Sequence, residues 1–270
     1  MVLIGFFVAL FSVGVGIGGG TMFVFIFVSI FKYDFKNAAG LSQSAIIPIT
    51  LIGSICHFMF SHGNPPLKYF VWFIPMCMLG TIIGCNIMNK WKVSWLKFVF
   101  SCFLLIASLR MMHLFDIPAI MFSNLNEITA ISKLLLVTSF GVMVGISATL
   151  LGIGCGLLIV PFFVIAMNLD IHEAIQLSLT TMFFLTVTAT VTRNSRHSLK
   201  CYSLKSLIIS SLAGAVTGAM ISNALPLILL RQIFAISLLL IACGYMINLL
   251  FQFFRCDKHM DPVPARLEGR

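Results

Sequence analysis

Apolar residues run through this chain in long blocks with brief polar interruptions, and the blocks approach or exceed the roughly 20 residues that carry a helix across a bilayer core. They lack the spaced alternation of a transmembrane barrel. The pattern predicts crossings at about 38–60, 68–89, 95–115, 171–192, 204–225 and 231–254. Two further blocks behave differently. Residues 1–31 are interrupted by Gly14-Val15-Gly16-Ile17-Gly18-Gly19-Gly20, and residues 131–167 by Gly152-Ile153-Gly154-Cys155-Gly156. As one straight helix the second block would be roughly 55 Å long, too long for a simple crossing. Each is therefore a tilted, interrupted helix or a re-entrant hairpin that enters and leaves on one face. Membrane helices also use glycine merely to pack closely. Two runs at equivalent places favour a functional break.

The equivalence is arithmetic. Adding 136 carries Gly16, Ile17, Gly18 and Gly20 onto Gly152, Ile153, Gly154 and Gly156, and the match continues through Asp34/Asp170, Ala38/Ala174, Ser42/Ser178 and Thr50/Thr186. The chain reads as an internal duplication: a first repeat over 1–115, a linker over 116–130 holding Pro118, Asn124, Asn126 and Glu127, a second repeat over 131–254, and a short tail over 255–270. Gly80/Gly84 and Gly214/Gly218 carry the G-x-x-x-G spacing of close helix contacts rather than of ligand sites. Pro48, Pro75 and Pro226 are positions where a helix kinks or ends. The tail's Leu267-Glu268-Gly269-Arg270 has the composition of an expression or protease-site scar and is given no function.

Composition agrees with a membrane solvent: 60% of residues are hydrophobic and 9% charged, against about a quarter charged in soluble domains. No basic patch with interleaved aromatics is present, so the net charge of +9 points to basic loops on one membrane face and not to nucleic acid. The basic residues also choose between the two readings of the long blocks. If both blocks cross completely, Lys and Arg split six against nine between the faces. If each returns to its own side, Lys32, Lys36, Lys90, Lys92, Lys97, Arg193, Arg196, Lys200, Lys205, Arg255 and Lys258 share one face against Lys68, Arg110, Lys133 and Arg231. Eleven against four is the stronger asymmetry. It puts both termini in the cytoplasm of a cell-membrane protein and gives each half three full crossings, so the halves must be inverted. The predicted fold is thus all-α and polytopic, an internal inverted repeat in which each half holds a glycine-broken re-entrant or discontinuous helical element. Cys56, Cys77, Cys85, Cys102 and Cys243 lie in apolar runs without metal-ligand spacing and read as small core residues. The start has no basic n-region of a secretory peptide.

Inverted repeats with broken helices are a recurrent way to build secondary transporters, with substrate held near the midplane at the repeat interface. Half-helices beginning near Thr21 and Leu157 would aim N–H groups and positive dipole ends inward, which suits an anion. On this reading Gly18, Gly19, Gly20, Gly154, Cys155 and Gly156 form the substrate site. Cys155 is equally a small packing residue. The following helix of each half adds Ser42, Gln43, Ser44, Thr50 and Ser54, and Gln176, Ser178, Thr180, Thr181, Thr186, Thr188 and Thr190. Of these Ser42, Gln43, Ser178 and Thr181 are the candidate contacts, set against the ordinary habit of membrane hydroxyls to bond their own helix. His57 and Arg193 are repeat mates. Arg193 is a candidate anion-attracting group or an interface anchor beside Arg196, and His57 a candidate for proton coupling or a structural residue. Asp34 and Asp170 read as caps of the next helix. No nucleophile–base pair or metal constellation is apparent, so an enzyme is disfavoured and no cofactor or metal is expected. The expected partners are a small anion, the bilayer and a coupling proton; composition does not separate monomer from dimer.

At these residues the chain resembles the TauE/SafE sulfite exporter family of membrane permeases, over roughly residues 3–253. The segment Gly152-Ile153-Gly154-Cys155-Gly156-Leu157-Leu158-Ile159-Val160-Pro161 is similar to the family's glycine-rich stretch ending in proline; its first-half counterpart runs Gly16 to Phe25, with Phe25 in place of the proline. The resemblance implies transport of small sulfur-containing anions such as sulfite, thiosulfate or organosulfonates. An anion-selective channel, or a transporter of an unrelated small organic anion, is the alternative. A structural or signalling protein would need neither matched breaks nor inward polar faces.

Overall fold

The computed structural model describes residues 2–33, 35–60, 67–88, 93–112, 130–193 and 202–257. Among them are ten α-helices and no strand: α1 Val2–Val15, α2 Gly20–Ser29, α3 Phe35–Phe60, α4 Leu67–Ile87, α5 Val93–Met111, α6 Ala130–Leu151, α7 Gly156–Ala166, α8 Ile171–Thr192, α9 Tyr202–Ala224 and α10 Leu227–Asp257. Five stretches are long and apolar enough to cross a bilayer: Asn37–Phe60, Tyr69–Ile87, Ile131–Leu151, Ile171–Thr192 and Leu227–Ile247. Their outward residues, such as Val71, Leu135, Val191, Ile228 and Leu240, are apolar, as a lipid-facing surface requires. The molecule is an all-α, multi-pass membrane bundle. Asp34, most of the linker over 116–130, the loops carrying Lys90, Lys92, Arg196 and Lys200, and the tail over 258–270 lie outside the described residues.

Each glycine run separates two helices. With 14 residues, α1 is about 21 Å long, and with 10 residues α2 is about 15 Å. Neither alone matches the roughly 30 Å hydrocarbon core. In the second block α6 is long and α7, at 11 residues, is short. Aromatic rings seat both short arms. Phe23, Phe27, Phe31 and Tyr33 form a ladder along α2 and its exit. Phe163 of α7 meets Tyr69 and Phe73 of α4, while Phe162 stacks on Phe140 of α6 at 3.7 Å. Pro161 sits inside α7 and withholds the N–H that would bond the Leu157 carbonyl.

Small residues decide which helices touch. Along α1 and α9, Gly5 pairs with Ser211 through a 3.2 Å hydrogen bond, Gly214 abuts the Phe6 carbonyl, and Gly218 abuts the Leu10 carbonyl. The numbers rise together, so these two helices run in parallel. The same holds for α4 and α6, where Gly141 meets Phe73 and Met76, Gly80 meets Val142, and Gly84 meets Ile146 and Thr149. A Cβ on Gly80 or Gly145 would stand 2.2 or 2.1 Å from a backbone oxygen, so only glycine permits this approach. Both G-x-x-x-G pairs are thus helix contacts. Helices α3 and α8 cross antiparallel, with Gly40 against Arg193 at one end and Ser54 2.6 Å from Thr180 further along. Val13 of α1 packs on Gly53 of α3, Gly14 on Gly218 of α9, and His57 of α3 meets Asn223 of α9. Helix α3 therefore runs in the direction of α1 and α9.

Candidate functional site

The two breaks meet each other at the centre of the bundle. A Cβ on Gly20 would lie 2.5 Å from the Ile153 carbonyl carbon, and one on Gly156 would lie 2.5 Å from the Gly16 oxygen and 2.9 Å from the Ile17 oxygen. Backbone touches backbone, which no side chain at either position would allow. The first glycine of each run packs on the long helix of the other half: Gly16 on Ile175 and Gly152 on Ala39. Left-handed backbone makes the turns. Gly16, Gly18 and Gly19 have φ of 80°, 78° and 75°, and Gly152, Gly154 and Cys155 have 71°, 70° and 59°. The remaining positive-φ residues among those described are Lys32 and Asn168, each at 52°, where the short arms end. All eight fall into four pairs 136 apart. Cys155 holds a conformation that costs a side-chain-bearing residue energy, and its thiol is fully buried.

Met182 fills the space between the breaks. Its Sδ would lie 2.4 Å from a Cβ on Gly18 and 3.1 Å from one on Gly154, and its Cε 2.8 Å from one on Gly156. A flexible thioether thus closes the crossing, a role the sequence does not signal because Met182 is one apolar residue in an apolar helix. The N-terminal turns of α2 and α7 begin here. Their N-cap residues, Gly19 and Cys155, supply no side-chain cap, so the leading N–H groups of both short helices converge on the crossing without one. Nearby, the buried Oγ1 atoms of Thr21 and Thr181 have no hydrogen-bond partner.

The candidate serines hold the breaks. Ser42 Oγ donates to the Gly20 carbonyl at 3.1 Å, and Ser178 Oγ donates to the Gly16 carbonyl at 2.9 Å. Each has its proton on backbone, Ser42 within its own half and Ser178 across to the other. Thr50, Thr180, Thr186, Thr188 and Ser44 bond carbonyls one turn back on their own helices. Gln43 reaches α6, where Nε2 donates to the Ala148 carbonyl at 3.0 Å and Oε1 stays buried without a partner.

Arg193 and His57 lie at the ends of α8 and α3. Arg193 Nη2 donates to the Thr149 carbonyl at 2.5 Å and lies 3.2 Å from Met88 Sδ. His57 is fully buried, with Nδ1 3.3 Å from Asn223 Nδ2, the Val13 carbonyl nearby, and Nε2 without a hydrogen-bond partner. Asp170 takes the N-cap position of α8 but makes no side-chain cap bond. Of the core cysteines, Cys56 and Cys77 are buried, Cys85 and Cys102 are half-buried, and Cys243 is exposed on the apolar surface; all of these are free thiols. Among the described residues no three of His, Cys, Asp and Glu come together as a metal site.

Residues 1–111, which hold α1 to α5, match the family described as Sulfite exporter TauE/SafE. No curated protein and no solved structure matches the chain. The family match and the membrane-length helices together support a membrane transporter of small anions.

Proposed function

We propose that this chain is a secondary transporter that moves a small sulfur-containing anion, such as sulfite, thiosulfate or an organosulfonate, by alternating access between two halves of inverted topology. The observation that carries this reading is the crossing itself: two glycine breaks abut at the core, and the N-termini of two short helices are directed there without side-chain caps. A dipole end and backbone N–H groups that no side chain caps suit an anion without a fixed charge that would hold it too tightly. Thr21 and Thr181 supply unpaired hydroxyls beside them.

Several features support inversion. The four positive-φ pairs repeat at the offset of the sequence match. Because α1 and α3 run the same way, the short α2 between them returns toward the face where α1 began, which favours a re-entrant hairpin over a full crossing. The 3.2 Å contact of Arg193 with Met88 sets the ends of α8 and α4 side by side. That matches the eleven-against-four split of Lys and Arg. Met182 supports a gated path over an open channel, since its side chain occupies the crossing.

Purified protein in liposomes tests the reading. We expect saturable flux of sulfite, thiosulfate or an alkanesulfonate, accelerated by the same anion on the opposite side, and a large loss in Gly18→Leu and Gly154→Leu protein that still folds. Unitary conductance would replace the transporter with a channel. Flux confined to cations, or retained by both substitutions, would remove the crossing as the site.

A further inference from the structure

Arg193 is a cation that no described carboxylate faces. It caps the C-terminus of α8, and its guanidinium turns into the protein between four helices. Thr149 of α6 takes one donor, Met88 and Cys85 of α4 lie alongside, and Gly40 of α3 leaves the room: a Cβ there would be 3.2 Å from Nη1. Nε and Nη1 are buried with no hydrogen-bond partner. A charge held this way in a membrane protein ordinarily sits against a carboxylate, because an unpaired one is expensive. Among the described residues Arg193 forms no ion pair. The acidic residues of its own helix region, Asp170 and Glu173, are at the other end, with Glu173 about 30 Å away along the helix axis.

An unpaired acceptor lies close by. Gln43 follows Gly40 by three residues on α3, a spacing that puts the two on one helix face about 5–6 Å apart. Its Nε2 is fixed on the Ala148 carbonyl, next to the Thr149 carbonyl that fixes Arg193, and Oε1 is left buried and unpaired. Arg193, with Nε and Nη1 buried beside the Cys85 thiol, and Gln43, with Oε1 buried, are thus anchored on adjacent carbonyls of α6. Any anion meets the first need. An anion that also carries an O–H meets both, its oxygens accepting from Arg193 and its hydroxyl donating to Gln43 Oε1.

We propose that Arg193 and Gln43 form a binding station for a small, singly protonated oxyanion, separate from the crossing of the glycine breaks. The repeat makes the assignment specific to one end. His57, the mate of Arg193, lies by the carbonyl of Val13, the mate of Thr149, so the same cradle carries no fixed positive charge in the first half. The choice of an anion as ligand rests on the transport reading. The binding itself is measured at equilibrium and is independent of flux.

Bicarbonate and nitrate are the probes, since both are planar, trigonal and singly charged at pH 8 and differ by one hydroxyl. Each is titrated against the full chain in detergent, reading the rise in unfolding temperature. Wild-type protein should bind bicarbonate at least fivefold more tightly than nitrate. Gln43→Leu should bring the two affinities within twofold of each other by weakening bicarbonate alone. Arg193→Gln should weaken both by tenfold or more. Arg193→Lys, which keeps the charge if the glutamine variant does not fold, should weaken both while preserving the preference. Equal affinities in wild-type protein, an unchanged preference in Gln43→Leu, or Arg193 variants within twofold of wild type would overturn the station. Intact binding in protein that shows no flux would leave the station standing and count against transport.

Discussion

Gly20 and Gly156 have ordinary helical backbone, so the cost of a side chain there is contact alone. A methyl group at either would press on backbone of the other break, which cannot move away as a flexible side chain would. Gly20→Ala and Gly156→Ala should each destabilise the protein by about 1–3 kcal/mol, read as a lower unfolding temperature in detergent. Gly244→Ala, whose Cβ would meet nothing within 4 Å, is the neutral control. Ser42→Ala and Ser178→Ala each remove a buried hydrogen bond to a carbonyl of a break and should cost about 0.5–1.5 kcal/mol. An unchanged unfolding temperature in both would show that these bonds do not hold the turns. Met182→Ala should open the crossing and raise basal anion leak in liposomes, an outcome that a mere packing residue would not produce. The glycines were legible in the sequence because φ > 0 and backbone contact exclude other residues and so leave a mark in composition. That no described carboxylate faces Arg193 was not, since its surroundings are neighbours brought in by α3, α4 and α6.

At the scale of elements, hydropathy located the helices closely, and the expected crossing at 171–192 coincides with α8. Length and apolarity suffice for that, because in lipid a spanning segment must satisfy its own backbone. Partnership was harder to read. The G-x-x-x-G pairs announced close approach, yet nothing in them specifies that Gly214 and Gly218 receive α1 while Gly80 and Gly84 receive α6. Apolar helices in an apolar solvent are sorted by shape and not by hydrophobic pattern. Shape also makes the contacts fragile: Gly80→Leu and Gly145→Leu should force α4 and α6 apart and sharply reduce folded yield, while Gly244→Leu on the surface of α10 should not. Equal yields of all three by size-exclusion chromatography would contradict the packing.

For the whole molecule, the charge asymmetry and the adjacency of the α4 and α8 ends are what the proposed inverted topology rests on. Lys90→Cys and Arg196→Cys, introduced in a chain freed of other cysteines, should both resist an impermeant thiol reagent in intact cells and react after permeabilisation. Reaction of one and protection of the other would defeat the inverted arrangement. Neither half is self-contained in this architecture, because α1 rests on α9 and α4 on α6. That exchange sets an order of assembly during synthesis. Helix α1 leaves the ribosome long before α9, whose surface receives it and begins only at Tyr202. Until then its glycine face has no groove to enter, whereas α4 gains its neighbour as soon as α6 is made. The segment from α1 to α2 is thus made well before the helix that locks it, and a chain halted after α8 would contain every residue of the first break without the helix that receives α1.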